Sequence, residues 1–173
     1  MSPDQQQFRE AISLFATGVT VITTTTPEGP AGMTASAVCS LSLEPIQLLI
    51  CISTHLPTHQ ALEGSGRFAV NVLGEGQHAT ALRFARPSRD KFLGVELVDE
   101  CEVPVLRDSI AYFICDVSER LPGGDHSIFI GQVRDCGHVP GRRPLLYYGS
   151  AFSSLERPDS GLLQAWMDGT ALA

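Results

Sequence analysis

The spacing of apolar and polar residues changes several times along the chain, and each change predicts an element. Near the start, Phe8, Ala11, Ile12 and Phe15 recur at the i, i+3, i+4, i+7 positions of one helical face. Ser2, Pro3 and Gln5 supply a cap, a first helical residue and a capping-box partner, so a helix is expected to run to about Ala16. Gly18 suits its end, and its apolar face should lie on a sheet.

β-branched residues then dominate. Val19 to Thr26 reads as a strand closed by the turn Pro27, Glu28, Gly29, Pro30, and Ala31 to Ser42 reads as the second strand of an antiparallel hairpin. Ile46 to Ser53 is almost wholly apolar, as a strand covered on both faces should be, and Arg67 to Leu73 is a further strand. Between them Thr58 to Glu63 predicts a short helix, and Gln77 to Ala85 predicts another, leading into a polar loop. Ile110 to Leu121 alternates in the strand manner, breaks at Pro122, Gly123 and Gly124, and resumes at Ser127 to His138. That is a long hairpin with Asp125 and His126 at its tip. After Pro140 to Pro144, Leu145 to Tyr148 makes a last strand, and the tail from Glu156 has one amphipathic stretch around Leu162 to Met167.

About seven or eight strands and three short helices, without regular βαβ alternation, point to a mainly β, mostly antiparallel barrel rather than a doubly wound sheet. With no internal repeat or low-complexity linker, residues 1–173 are expected to form one domain. Twelve Lys and Arg stand against 19 Asp and Glu, a net charge of −7, so no basic surplus draws the chain to nucleic acid or an anionic membrane. The most apolar stretch, Leu48 to Ile52, is too short to span a bilayer, and no signal peptide opens the chain. Cys39, Cys51, Cys101, Cys115 and Cys136 are odd in number and form no CxxC pair, which reads as buried, reduced thiols in a cytoplasmic protein.

Three stretches could carry chemistry. In Gly32 to Ser42, the small or hydroxylic Thr34, Ala35, Ser36, Ser40 and Ser42 would let a planar ligand approach the backbone; they equally suit a wet edge strand. In the turn after Leu121, Gly123 and Gly124 permit close approach beside Asp125 and His126, or make an ordinary hairpin with a bystander histidine. Arg86 to Phe92 gathers two arginines, a lysine and a serine, either a phosphate grip or a solvated loop. His55 and His59 are interrupted by Pro57 and have no third partner at ligand spacing, so no metal site is expected. Gly64 to Ala69 matches GxGxxA but runs from helix to strand, the reverse of a dinucleotide-binding turn.

Taken in order, FATGVTVITT (Phe15 to Thr24), GMTASAVCSLSLEP (Gly32 to Pro45), RFAVNVL (Arg67 to Leu73), DKF (Asp90 to Phe92), GGDHSIFIGQV (Gly123 to Val133) and PLLYY (Pro144 to Tyr148) resemble the flavin reductase domain family. These are short-chain NAD(P)H:flavin oxidoreductases that supply reduced flavin to monooxygenases. The resemblance covers about Phe8 to Phe152 and implies an FMN-binding split barrel, Greek-key-like and homodimeric, reducing exchangeable FMN or FAD with NADH more readily than NADPH. It implies that Thr34, Ala35, Ser36 and Ser40 line the flavin ring and ribityl chain, with Ser53, Thr58 and His59 near the polar tail and Ser88, Arg89 and Lys91 at the phosphate. It also implies that Gly124, Asp125, His126 and Phe152 serve NADH, with His126 the catalytic-site residue. A non-catalytic split-barrel module for flavin or haem is the alternative, and a pyridoxamine-phosphate-oxidase-like enzyme a further one. The chain departs from the family where Glu44, Pro45, Ile46 replace Asp-Pro-Pro and where Tyr148, Gly149, Ser150 replace an Arg-Gly pair.

Overall fold

The computed structural model describes residues 4–156, so Ser2, Pro3 and the amphipathic stretch at Leu162 to Met167 lie outside the described residues. Helix α1 spans Gln5–Ser13, and its cap is Asp4 rather than Ser2: the carboxylate accepts from the Gln7 amide at 2.8 Å while the Gln7 side chain reaches back to the Asp4 amide. The helix stops three residues short of Ala16, and Thr17–Gly18 instead form a two-residue strand, β1.

The apolar face of α1 does not lie on a sheet. Phe8, Ile12 and Phe15 keep 59%, 50% and 71% of their surface exposed, and the helix buries nothing. Periodicity says that a face wants cover but not whether the same chain supplies it.

Strands β2 (Thr20–Thr26) and β3 (Gly29–Ala35) form the expected hairpin. The run after Ala31 is not one strand but two, because Ser36 and Ala37 interrupt it before β4 (Val38–Leu43). Then follow β5 (Ile46–Ser53), α2 (Pro57–Ser65), β6 (Arg67–Val72), α3 (His78–Ala85), β7 (Ala111–Gly123), β8 (His126–His138), β9 (Leu146–Tyr148) and β10 (Ala151–Ser153). All the ladders are antiparallel, in a seven-stranded sheet ordered β3-β2-β6-β7-β8-β5-β4 and a three-stranded sheet β1-β9-β10.

The strand order explains the closed shape. β3 and β4 are opposite edges of the large sheet, yet only Ser36 and Ala37 join them. Three Cα steps reach about 11 Å at most, so the sheet must curl until its edges nearly meet. Register shifts at Ile114/Cys115 and Val117/Glu119 add bend to β7. The result is an antiparallel split barrel with its seam at Ser36–Ala37.

Ile22, Leu48, Ile50, Ile52, Phe68, Val70 and Phe129 fill the barrel, and Leu62 of α2 closes it. A second cluster, Val19, Val21, Leu73, Ala81, Phe84 and Leu145, lies between the sheet and α3, so β2 is covered on both faces. The connection from α3 to β7 is held to the outer face by Asn71, whose amide donates to Val21 O and whose Oδ1 accepts from the Leu106 amide at 2.8 Å. All five cysteines are free, but only Cys115 is buried; Cys39 and Cys136 are exposed because strand alternation turns them outward. Burial pushes the Cys115 thiol up to about 12. Among the described residues no helix is long and apolar enough to cross a membrane.

Candidate functional site

Two groups of candidate side chains lie on either side of β5, which pairs with β4 on one edge and β8 on the other. The first is built on β3. Gly32 is obligatory there, since a Cβ would stand 2.9 Å from Ile22 O and 3.2 Å from both Phe84 and Phe92. Its absence lets α3 and the following loop press against the strand. Thr34 Oγ1 donates to Ala81 O at 2.6 Å, and Lys91 Nζ donates to Gly32 O at 3.1 Å and Phe84 O at 2.9 Å. Lys91 thus ties the C-terminal end of α3 to β3, and burial holds its ammonium pKa below the usual lysine value. Ser88 and Arg89 lie on the exposed loop between the end of α3 and Lys91. Ser88 Oγ accepts from the Asp90 amide at 3.0 Å, and the exposed Arg89 makes no ion pair among the described residues.

Ala35 is buried, whereas Ser36 and Ser40 are exposed. The amides of Ser36 and Ala37 belong to neither flanking ladder and donate to no backbone carbonyl among the described residues. Ser36 O accepts from the Val38 amide in a tight turn, and Ala37 O accepts from the Cys51 amide, both at 3.0 Å. The seam therefore offers two free N–H donors and exposed hydroxyls to a neighbouring ligand.

The second group lies at the adjoining ends of β5, β7 and β8. Ser53 is paired with His126, and Gly123 with His126 on the other side. Gly124 takes φ +73° at the first position of the two-residue turn, a conformation that glycine reaches without strain. Thr54 fixes the turn twice, its amide and its hydroxyl both donating to Asp125 O at 3.0 and 3.1 Å. The Asp125 carboxylate meets His126 Nδ1 at 2.7 Å, and the imidazole beside it holds that carboxyl below the usual carboxylate range. With Nδ1–H donated to Asp125, Nε2 is left for a ligand.

Other expected residues lie elsewhere. Thr58 and His59 are buried on the inner face of α2, and His59 Nε2 faces Ser127 Oγ at 2.8 Å. Phe152 is edge-on to His78 and Tyr147, with ring centroids 5.4 and 5.8 Å apart, on the α3 side of the molecule. A cleft of about 810 Å³ between the β2–β3 turn and α2, lined by Thr26, Pro57, Gln60, Gly64 and Arg67, contains none of the candidate residues. Thr54 and Ser127 were missed by sequence reasoning; a hydroxyl flanking each of two adjoining strand ends was the available signal.

A family model described as "Flavin reductase like domain" matches residues 12–156. The chain is 38% identical over 168 residues to the reductase subunit HsaB of a flavin-dependent monooxygenase from Mycobacterium tuberculosis, covering 95% of this chain and 89% of the relative. It is likewise 38% identical over 155 residues to an FMN reductase (NADH) from Agrobacterium fabrum, covering 89% and 88%. Among solved structures, the NADH:FAD oxidoreductase of Streptomyces globisporus in complex with NAD and FAD fragments superposes with a TM-score of 0.85 at 37% identity, covering 91% of this chain and 95% of that one.

Proposed function

The chain belongs to the flavin reductase-like domain family, and on that premise we infer that it is an NADH-dependent flavin reductase that reduces FMN or FAD and supplies the reduced flavin to a partner monooxygenase. The observation that carries this reading is the family match across residues 12–156, extending over both groups of candidate residues. Hydride passes from nicotinamide C4 to flavin N5, so the protein needs no nucleophile of its own. Its part is to seat two planar groups and to hydrogen-bond the charge that develops.

The seam fits that task. The free amides of Ser36 and Ala37 and the exposed hydroxyls of Ser36 and Ser40 match the carbonyl and ring-nitrogen acceptors and donors of a flavin. Thr34, Ala35 and Ser53 form the adjoining wall, while Ser88 and the exposed Arg89 take the phosphate. Lys91 supports this grip from below through its two carbonyl contacts. His126, oriented by Asp125 and flanked by Gly124, seats the nicotinamide through Nε2. The groups stand on an open surface, which suits a flavin that must leave.

The chain acts as a homodimer, its partner covering the apolar face of α1 and the equally bare Leu43 and Ile46, 80% and 57% exposed. Light scattering should give twice 18.6 kDa, and Phe15→Glu should halve it; a monomeric wild-type protein would refute this. Five free thiols suit a reducing cytoplasm, and recovery in an oxidising compartment would refute that placement. The reductase reading itself is tested by NADH oxidation with and without added flavin.

A further inference from the structure

The β5–α2 segment and the β7–β8 hairpin are joined by three separate polar links. The Thr54 amide and hydroxyl hold Asp125 O, His59 Nε2 meets Ser127 Oγ at 2.8 Å, and Glu63 pairs with Arg120. The middle link is the buried one, with His59 and Ser127 only 5% and 6% exposed. Ser127 is the residue after His126, and alternation along β8 turns its hydroxyl into the barrel while His126 faces out. It is also paired on both sides, with Ile52 of β5 and Pro122 of β7.

His59 faces four groups. Phe129 lies edge-on at 5.4 Å, Ser127 meets Nε2, Glu63 Oε2 stands 3.6 Å from Nδ1, and Arg120 lies beyond Glu63. The carboxylate favours the proton on Nδ1, so the Ser127 hydroxyl donates to Nε2. Burial and then the Arg120 charge hold the ring pKa below its ordinary value, which keeps the imidazole neutral and this donor pattern fixed. Nε2 is thereby engaged by Ser127, while Nδ1 faces the Glu63 carboxylate at 3.6 Å. His59 is one bonded hydroxyl and one peptide from His126.

We propose that His59 is a positioning residue: through Ser127 it fixes the start of β8, and so sets where His126 presents Nε2 to the nicotinamide. Helix α2 is the brace and Leu62 its apolar anchor in the barrel core. Removal of the His59–Ser127 link leaves the backbone of the turn held by Thr54, the Glu63–Arg120 pair and the ladders to β5 and β7, but unties the buried side chain next to His126 from α2. This proposal rests on the reading of His126 as the nicotinamide seat.

The test is steady-state kinetics of the full chain with added FMN, varying NADH and flavin separately, for Ser127→Ala, His59→Ala, His59→Gln, His126→Ala and the double variant Ser127→Ala/His126→Ala. Ser127→Ala should raise the NADH KM about three- to tenfold, the span of one lost hydrogen bond, with the flavin KM unchanged. His59→Gln, which returns a polar group near the Nε2 position, should recover most of the loss. The double variant should be no worse than His126→Ala alone, because the brace acts only through that side chain. An effect in His126→Ala with none in Ser127→Ala, or effects that multiply in the double variant, would overturn the brace while leaving the nicotinamide seat intact. A silent His126→Ala would remove the seat and the brace together. Should His59→Ala fail to fold, hydrogen exchange at the Thr54 amide in Ser127→Ala decides independently: faster exchange supports the brace, and unchanged protection refutes it.

Discussion

Replacing Gly32 with alanine probes how the flavin side of the seam is held together. The added methyl would stand 2.9 Å from Ile22 O, a ladder carbonyl that cannot rotate aside, and 3.2 Å from two aromatic rings that pack edge-on at 5.0 Å. Relief requires β2 or the Phe84–Phe92 pair to move, and overpacking of this kind costs about 1–3 kcal/mol. With a urea slope of about 2 kcal/mol/M, a loss of about 2 kcal/mol lowers the unfolding midpoint by about 1 M. The same shift disturbs Lys91, which spans Gly32 O and Phe84 O, and with it the loop carrying Ser88 and Arg89. Flavin affinity should therefore fall with stability. Gly64→Ala is the control: its Cβ meets nothing within 4 Å and it lies in α2, so stability should stay level or rise by about 0.5–1 kcal/mol. Urea titration followed by the far-UV signal, with fluorescence titration of FMN, reads both effects. An unchanged midpoint would refute the packing argument. A lowered midpoint with unchanged flavin affinity would refute the role given to the loop.

His126→Ala should raise the NADH KM or lower kcat while sparing flavin binding, and Arg89→Ala should weaken flavin while sparing the NADH KM; the reverse pattern would exchange their roles. Stability should also depend on pH through His59, whose folded pKa lies below the ordinary 6.5. The unfolded chain then takes up the proton first, so stability is complete above about pH 6.5 and declines as pH falls through that value towards the folded pKa. His59→Gln should flatten this slope in urea titrations, and an identical slope in the variant would remove His59 as its source.

Much of the fold was legible because alternation and turn chemistry act locally. The β7–β8 hairpin follows from its alternating strands and the Gly123–Gly124 break, and β5 from its apolar run. The division between β3 and β4 was not legible, because Ser36 and Ala37 carry no glycine or proline to mark it; the break follows from closure of the sheet, a property of the whole order of strands. For the same reason the cover of α1 could not be read from Phe8, Ile12 and Phe15 alone. At the site, the hydroxyls of Ser36 and Ser40 and the turn at Asp125 and His126 could be found as residue types in suggestive places. Their placement on either side of β5 could not, since it depends on β5 pairing with the distant β8. Lys91 and His59 show the other limit: both have chemistry suited to a ligand, and the structure occupies them with backbone carbonyls and with Ser127. Asn71, which no motif singled out as functional, pins a long connection because a buried amide must find partners for its donor and acceptor alike.

The most direct test of the central claim is NADH consumption by the purified chain under anaerobic conditions, with FMN or FAD either added or omitted. Consumption that requires added flavin, matched mole for mole by reduced flavin able to leave and reduce a separate acceptor, is the predicted result. Flavin that binds while NADH persists unoxidised would contradict it and make the barrel a binding module instead.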